Sequence, residues 1–427
     1  MTTGNEIHDF ARQLWPLNRS LTGEGVRETL NLISHHLPNL SINSIPSGSQ
    51  IFDWTVPKEW KAREAYIITP KGEKICDFSK NNLHLVSYSI PFVGEMDFEE
   101  LKKHIYTLPE QPDAVPYITS FYEKRWGFCL SQNEFDKLES GKYKVKIDTE
   151  LFDGELNYGE LIIQGKTKKE IFLSTNICHP SMANNELSGI SVVTYIAKWL
   201  TDLKNKYYTY RIVFIPETIG SLVYINKNLK QLKQNILAGY NICCIGDDRN
   251  YSYLPSRNGN TLSDSVAKHV LKNIDPNFIK YTWFDRGSDE RQYCAPGIDL
   301  PIASIHRSKY GEYPEYHTSL DNLDDVVTAD GLSGGYEAVR KALELLERNK
   351  NFKAAVLGEP QLGKRGLFPT LSTKKKLENK VMLLLDFISL CDGKTSLLDI
   401  ADKLSIPAWD LYDVVDVLES HNLIVSS

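Results

Sequence analysis

The chain of 427 residues has neither long apolar runs nor a surplus of basic side chains. No segment approaches the roughly 18–20 consecutive apolar residues of a membrane-spanning helix, so we expect no membrane partner. The net charge of −6 gives no general attraction to nucleic acid or anionic lipid. Residues 1–8 lack the basic and apolar regions of a signal peptide. These absences predict a cytoplasmic protein.

Cysteine is sparse, and none of the seven cysteines forms a CxxC pair. The expected state in a cytoplasmic protein is a set of free, mostly buried thiols. Two thiols stand in places where a nucleophile is conceivable, Cys178 beside His179 and Cys294 in the polar segment 289–297. No activating pattern accompanies either thiol, so this role is disfavoured.

The pattern of elements divides the chain into three predicted domains. Residues 1–48 and 156–350 alternate strands and helices, which predicts an α/β domain with a doubly wound, mostly parallel sheet. Residues 49–155 contain short runs rich in Val, Ile, Tyr and Phe, and this predicts an inserted β-rich domain. Its runs include residues 83–90, and its proline-rich segment 108–116 is typical of a surface connection. Short helices followed by a strand predict a winged-helix domain over residues 368–427.

Polar side chains follow four predicted strands of the α/β domain. The four groups are His179 with Asn184, Asn185 and Glu186; Glu217 with Thr218; Asp247 with Asp248; and Tyr316 with His317. In an open α/β sheet these strand ends are where sites are built. Imidazole and carboxylate are ligands for zinc, and a metal with a carboxylate base is the machinery of a metallohydrolase. Taken singly, each group could also be a helix cap or a buried polar residue.

The motif at residues 176–189, with the groups that follow it, resembles the co-catalytic zinc aminopeptidases. Segments 19–30, 53–60, 289–294 and 359–366 extend the resemblance, over nearly the full chain, to bacterial aminopeptidase-like proteins often linked to polysaccharide biosynthesis loci. That group also has a β insertion and a C-terminal winged helix. The resemblance implies that His179 and Asp247 bind a first metal ion and His317 a second. It also implies that Glu217 is the general base.

Two positions depart from the aminopeptidase pattern. Asn185 stands where a bridging aspartate is expected, and Thr218 stands where the second metal has a glutamate. The neighbouring Glu186 could compensate for Asn185. We therefore expect one zinc ion rather than two, held by His179, Asp247 and either Glu186 or His317. Glu217 could be a ligand rather than the base.

The segment after residue 286 offers candidate substrate contacts. Arg291 could bind a substrate carboxylate through two hydrogen bonds, and Asp289 or Glu290 could bind an amine. Tyr316 is a weaker candidate, because aromatic residues near such loops are more often packing. A solvated charged loop is the alternative.

Three functions remain open from the sequence. The first is a metal-dependent hydrolase of aminopeptidase type, acting on an amide bond of a small substrate such as a peptide or an N-acylated sugar or amino-acid conjugate. The second is a non-catalytic binding or assembly protein with a degenerate aminopeptidase fold. The third, a DNA-binding regulator, is disfavoured because the predicted third helix, residues 408–421, carries four acidic residues and no Lys or Arg. A packing role, or a homo-oligomer contact, suits that helix better.

Overall fold

The computed structural model describes residues 3–367 and 376–426. The first segment of the chain supplies two helices and an edge strand: α1 (Thr3–Leu14), α2 (Glu24–His36) and β1 (Ser41–Pro46). The inserted segment follows with β2 (Gln50–Ile51), β3 (Trp54–Thr55), β4 (Glu59–Ile68), β5 (Lys74–Ile75), β6 (Phe92–Asp97), α3 (Phe98–Leu101), β7 (Ile105–Tyr106), β8 (Phe128–Cys129), α4 (Gln132–Phe135) and β9 (Lys142–Phe152).

Strands and helices then alternate as the sequence pattern predicts. The elements are β10 (Glu155–Ile163), β11 (Glu170–Asn176), α5 (Ser188–Asp202), β12 (Thr209–Ile215), α6 (Ile219–Asn235), β13 (Ile236–Asn241), β14 (Ser252–Leu254), α7 (Leu262–Ile274), β15 (Ile279–Lys280), α8 (Glu290–Tyr293), β16 (Ile302–His306) and α9 (Ala329–Arg348). The last segment contains β17 (Asn351–Ala354), α10 (Lys376–Ser389), β18 (Asp392–Ser396), α11 (Leu397–Leu404), α12 (Tyr412–Ser420) and β19 (Ile424–Ser426).

An eight-stranded sheet forms the centre of the α/β fold, in the order β1-β10-β12-β11-β13-β16-β14-β15. Its four middle strands, β12, β11, β13 and β16, run parallel, whereas β1, β10 and β14 join antiparallel to their neighbours. All seven residues of β11 are buried, as expected for a strand covered on both faces. The carboxyl ends of the parallel strands therefore meet at one edge, where His179 follows β11.

The inserted segment forms a separate four-stranded sheet, β5-β4-β9-β6. Two expectations for this segment are wrong. Residues 83–90 do not form a strand: they make a short 3-10 turn and isolated bridges, and Tyr88 has a φ of 65°, which breaks an extended run. The segment 108–116 is not wholly a surface connection, because Val115 and Pro116 are buried and Pro116 pairs with Thr318.

The C-terminal segment forms its own small fold. Strands β18-β17-β19 make a three-stranded antiparallel sheet, and Phe352 of β17 packs edge-on against Phe387 of α10 with ring centroids 5.7 Å apart. The predicted third helix is interrupted, because residues Ala408–Leu411 form a 3-10 turn before α12. Residues 368–375 of the predicted winged-helix domain lie outside the described residues.

Packing separates two compact units. One contains the chain up to residue 337 apart from residues 265–278, and the other contains residues 265–278 with the chain from residue 338 onward. The three-domain division made from the sequence stays a prediction. Within the described parts of the chain, no helix is both long enough and apolar enough to cross a membrane.

Candidate functional site

His179 lies three residues beyond β11, and its ring is fixed by a buried carboxylate. Its Nδ1 lies 2.5 Å from Oε2 of Glu186, and its backbone N–H donates to Oε1 of the same side chain at 2.6 Å. A π-helical turn, Ala183–Leu187, carries Glu186 into this position before α5 begins. Because Nδ1 is engaged, Nε2 is the ring nitrogen left to face the site.

Glu186 is itself held by an arginine from the first segment of the chain. The guanidinium of Arg19 donates through Nε to Glu186 Oε1 at 3.3 Å and to the carbonyl of His179 at 3.0 Å, and both charged side chains are fully buried. Glu186 is thus committed to Arg19 and His179. We assign it to orienting His179 rather than to binding a metal directly, as the second layer around metal ligands commonly does. The sequence pattern did not indicate Arg19.

His317 faces His179 across the site, with ring centroids 5.3 Å apart. Its φ of 55° places the residue in the left-handed region, and Tyr316 stacks on its ring at 3.9 Å. Its Nε2 is buried and has no hydrogen-bond partner among the described residues. Burial, together with the neighbouring His179, lowers the pKa of His317 to about 3. The ring is therefore neutral, which is the form that binds metal.

Tyr117 enters the site from the inserted segment, and no sequence motif indicates this role. Its ring centroid lies 5.4 Å from that of His179 and 5.2 Å from that of His317. The backbone N–H of Tyr117 donates to the carbonyl of His317 at 2.9 Å, which ties the inserted loop to the histidine loop. Burial raises the pKa of the Tyr117 phenol, so the hydroxyl stays protonated and can donate a hydrogen bond.

Glu217 follows β12 and points one carboxylate oxygen toward His179. Its Oε1 accepts hydrogen bonds from Ser288 Oγ at 2.7 Å and Asn176 Nδ2 at 3.2 Å. Its Oε2 lies 3.9 Å from His179 Nε2 and has no hydrogen bond among the described residues. Glu217 therefore has one anchored oxygen and one available oxygen.

The residue after Glu217 adopts a strained conformation. Thr218 has φ 65° and ψ −76°, and the N–H of Ile219 donates to the carbonyl of Glu217 at 2.8 Å. This is the rare γ-turn geometry, which is unfavourable for a β-branched residue. Asp289 holds the turn from below: its Oδ1 accepts from the Thr218 N–H at 2.8 Å and from Ser221 Oγ at 2.7 Å. Strain of this kind concentrates at functional sites.

The other predicted substrate contacts fall into two groups. Glu290 is fully buried and bound to the N–H groups of Gly287 and Ser288 and to Tyr310, so it supports the loop instead of facing a ligand. Asp289 is likewise fully buried beneath the γ-turn. Arg291 is partly buried, donates to Thr218 Oγ1 at 2.7 Å, and keeps a buried Nε without a partner among the described residues. Its role as a substrate contact stays a prediction.

Asp247 and Asn185 are engaged elsewhere. The four hydrogen bonds to the Asp247 carboxylate come from Asn184 Nδ2 and Arg249 N and from both Oγ and N of Ser308, and they use its full accepting capacity. Asp247 could reach a metal ion only by giving up one of these bonds. The backbone N–H of Asn185 donates to Asp321 at 3.0 Å, and its side-chain carbonyl lies 3.9 Å from the Cys244 thiol.

The site offers the kinds of donor atom that zinc binds. Catalytic zinc takes about three protein ligands, and two imidazoles with one carboxylate is a common combination. His179 Nε2, His317 Nε2 and Glu217 Oε2 provide these donors, and the unpartnered His317 nitrogen is the observation that fits an ion. Thr218 and Asn185 offer no carboxylate for a second ion. The potential ligand atoms of Cys178, His179 and Glu186 lie within 4.8 Å of one another, but Arg19 already neutralises Glu186.

Cys178 and Cys294, the two thiols considered from the sequence, do not have the properties of nucleophiles. Burial raises the pKa of Cys178 to about 12 and that of Cys294 to about 11. Both side chains are buried, and a protonated, buried thiol is unreactive.

Comparison with known proteins identifies the group to which the chain belongs. Residues 8–349 match the family model described as a domain of unknown function, DUF4910, and residues 350–426 match a winged helix-turn-helix model. A protein of Clostridium acetobutylicum, described as a candidate polysaccharide biosynthesis protein with an aminopeptidase-like domain, is 43% identical over 402 residues, or 94% of this chain and 92% of that protein.

Solved structures agree with this assignment. A crystal structure of a candidate peptidase from Clostridium acetobutylicum has a TM-score of 0.93 at 41% identity and covers 100% of this chain and 97% of its own. The zinc aminopeptidase BSAP of Bacillus subtilis has a TM-score of 0.58 at 11% identity, over 80% of this chain and 94% of its own. A peptidase M28 precursor from Shewanella amazonensis has a TM-score of 0.55 at 11% identity, also over 80% and 94%. These last two likenesses concern the fold alone.

The expected zinc-peptidase-like α/β fold, with a C-terminal winged helix, is thus confirmed. The resemblance noted from the sequence is confirmed as well: the chain belongs to the DUF4910 family of bacterial aminopeptidase-like proteins.

Proposed function

We propose that the protein is a metal-dependent hydrolase of the aminopeptidase type that cleaves an amide bond in a small substrate. The observation that carries the proposal is the unpartnered, buried Nε2 of His317 opposite His179, with the available oxygen of Glu217 beside them. A single zinc ion is the expected cofactor, with His179 and His317 as its imidazole ligands. When bound, the ion would polarise the amide carbonyl and lower the pKa of water.

The side chains around this point have distinct tasks in such a reaction. Ser288 and Asn176 fix Glu217 through Oε1, so that Oε2 faces the reacting atoms. Oε2 can take the proton of the attacking water and pass it to the leaving amine. The protonated Tyr117 hydroxyl can donate a hydrogen bond to the carbonyl oxygen as negative charge develops there. Glu186 and Arg19 keep the His179 ring in one orientation.

The substrate belongs to a narrower class than peptides in general. The name of the Clostridium relative joins polysaccharide biosynthesis to an aminopeptidase-like domain, which favours an amide carried on a sugar over general peptide digestion. Thr218 stands where the aminopeptidase pattern places a glutamate, so the second ion that such enzymes use is not expected here.

Hydrolysis of a panel of amides by the zinc-loaded protein tests this function. We expect turnover of N-acylated sugars or aminoacyl amides by the wild type and its loss by at least about 100-fold in Glu217→Gln, since general-base catalysis is worth about 10²–10⁴-fold. Zinc analysis of Glu217→Gln then separates the two roles of this side chain. Retained zinc assigns Oε2 of Glu217 to the base role, and lost zinc assigns it to binding the ion, because Oε1 is already anchored. Equal turnover by wild type and Glu217→Gln would reject the mechanism.

A non-catalytic binding protein is the second candidate, and one observation favours it. The Asp247 carboxylate accepts four hydrogen bonds inside the protein, and Asn185 is neutral, so neither position offers the free carboxylate that aminopeptidases use for metal. A purified protein that takes up no zinc and hydrolyses no amide would establish this alternative.

A further inference from the structure

A pocket of about 260 Å³ lies beside the histidine loops and has no role in the mechanism above. Its walls come from the chain after α1, from the turn before residue 84 of the inserted segment, and from the two loops that follow His179 and His317. The residues that matter to the argument are Trp15, Phe78, Asn81, Asn82, Ser181 and Ser319.

The side chains that line the pocket suit a neutral, hydroxyl-rich ligand. Of the ten described residues around it, Lys80 alone is charged, and the others offer aromatic and apolar surface, hydroxyls and amides. A second pocket of nearly equal volume, about 270 Å³, is instead lined by five charged side chains, Lys71, Glu73, Glu134, Lys137 and Glu139. The lining carries no carboxylate, so it gives no counter-ion to a free amino terminus. Apolar surface with a few placed hydrogen-bonding groups is how proteins hold small uncharged ligands.

The polar groups in the pocket retain unused hydrogen-bonding capacity. The amide of Asn82 donates to Ser181 Oγ at 3.0 Å and, through the same nitrogen, to the carbonyl of Pro16 at 3.4 Å, which leaves its own carbonyl oxygen as an acceptor. Ser319 Oγ accepts from the Val115 N–H at 3.0 Å and keeps its hydroxyl proton for donation. Asn81 uses its carbonyl on the Leu83 N–H at 2.9 Å and keeps its amide protons. The pocket therefore presents both donors and acceptors in fixed positions, as sugar hydroxyls require.

Two residues connect this pocket to the candidate site. Ser181 follows His179 by two residues, and Ser319 follows His317 by two residues, so each pair of Cα atoms is separated by at most about 7 Å. Ser181 also has a φ of 46°, a strained value for a residue other than glycine. The two loops that form this wall of the pocket are therefore the loops that carry the two histidines.

From these contacts we infer that the pocket holds the sugar ring of the substrate, and that the substrate is a neutral N-acylated sugar whose amide reaches His179 and His317. This inference rests on the proposed hydrolase function for the reacting bond, but the binding of the ring depends on the pocket alone. Trp15 and Phe78 would contact the apolar faces of the ring. Asn81, Asn82 and Ser319 would bind its hydroxyls.

Titration of the full chain with N-acetyl-D-glucosamine, followed by saturation-transfer NMR and calorimetry, tests the inference. We expect binding in the millimolar range and no binding of L-alaninamide at the same concentrations. The affinity should fall at least fivefold in Asn82→Ala and in Ser319→Ala, and it should stay unchanged in Lys137→Ala, which alters the charged pocket of similar size. Thermal melting of each variant confirms that it is folded, and Ser319→Ala serves as the test if Asn82→Ala does not fold.

Absence of sugar binding to the wild type, or equal binding by wild type and both pocket variants, would overturn the inference. Its failure is distinguishable from failure of the hydrolase proposal. Sugar binding by a protein that takes up no zinc would support the sugar site and reject the hydrolase proposal. Zinc bound at the histidines without sugar binding would leave the hydrolase proposal standing and reject the sugar site.

Discussion

The carboxyl group of Asp289 lies fully buried beneath Thr218 and accepts its backbone N–H at 2.8 Å. This contact ties the polar segment after residue 286 to the turn that presents Glu217. Because Thr218 adopts a positive φ that its side chain disfavours, the turn needs support from its surroundings. Asp289 and the Thr218 turn thus together position the available oxygen of Glu217.

Asp289 should contribute strongly to stability through this support. We expect Asp289→Ala to lower the free energy of unfolding by about 2–4 kcal/mol, because the Thr218 N–H and the Ser221 hydroxyl lose their acceptor inside the protein. Asp289→Asn keeps an acceptor oxygen and should cost less than half as much. Urea unfolding of both variants measures the difference. Equal losses in the two variants would contradict the support role.

Glu186 should tune zinc affinity without setting the number of ions. We expect Glu186→Gln to weaken zinc binding by about 10–100-fold, the usual effect of removing a partner that orients a metal-bound histidine. The stoichiometry at saturating zinc should not change, because Glu186 is not a ligand in this account. Competition with a chromophoric chelator gives both quantities. A protein that can no longer be saturated would show that Glu186 binds the ion itself.

Tyr117 should act on the reaction rather than on the fold. Tyr117→Phe removes the hydroxyl and keeps the ring beside the two histidines, so we expect kcat to fall by about 10–1000-fold with little change in KM or melting temperature. Tyr316→Phe is the matched control, because Tyr316 stacks on His317 through its ring and should need no hydroxyl. A rise in KM with an unchanged kcat would instead assign Tyr117 to binding of the substrate in its ground state.

Asp321 should make stability depend on pH in the mildly acidic range. Burial raises the pKa of Asp321 to about 6, although it accepts hydrogen bonds from the Asn184 and Asn185 N–H groups and from Tyr313. The folded protein therefore holds this proton more tightly than the unfolded chain does. Its contribution is largest below about pH 4 and is lost as the pH rises toward 6, by about 3 kcal/mol in all. Chemical unfolding from pH 4 to 7 should show a downward slope that is shallower in Asp321→Asn. Identical slopes would contradict the assignment.

Much of the α/β fold could be predicted because its signals are local. The apolar spacing of residues 189–203, 261–273 and 329–347 predicts three helices with polar boundaries. Helices α5, α7 and α9 lie within two residues of these bounds at both ends. The strand prediction at 83–90 was wrong because β-rich composition there serves packing of the inserted segment, where Tyr88 stacks on Trp60 at 5.6 Å. Composition alone does not distinguish a strand from an irregular segment whose apolar side chains pack in the core.

The histidines and Glu217 could be placed near one another from the sequence because they follow parallel strands. Arg19 and Tyr117 could not, because their roles depend on contacts with residues 160 and 62 positions away or more. The same limit applies to Asp247. Its residue type suits a metal ligand, and only the structure reveals the hydrogen bonds that occupy its carboxylate.

The zinc content of the purified protein tests the central claim most directly. We predict about one equivalent of zinc per chain in the wild type after dialysis against metal-free buffer, less than one tenth of that in His179→Ala and His317→Ala, and a value near the wild type in Asp247→Asn. Mass spectrometry of the native protein gives these numbers for folded chains. Wild-type protein that takes up no zinc, or single-histidine variants that keep a full equivalent, would contradict the account.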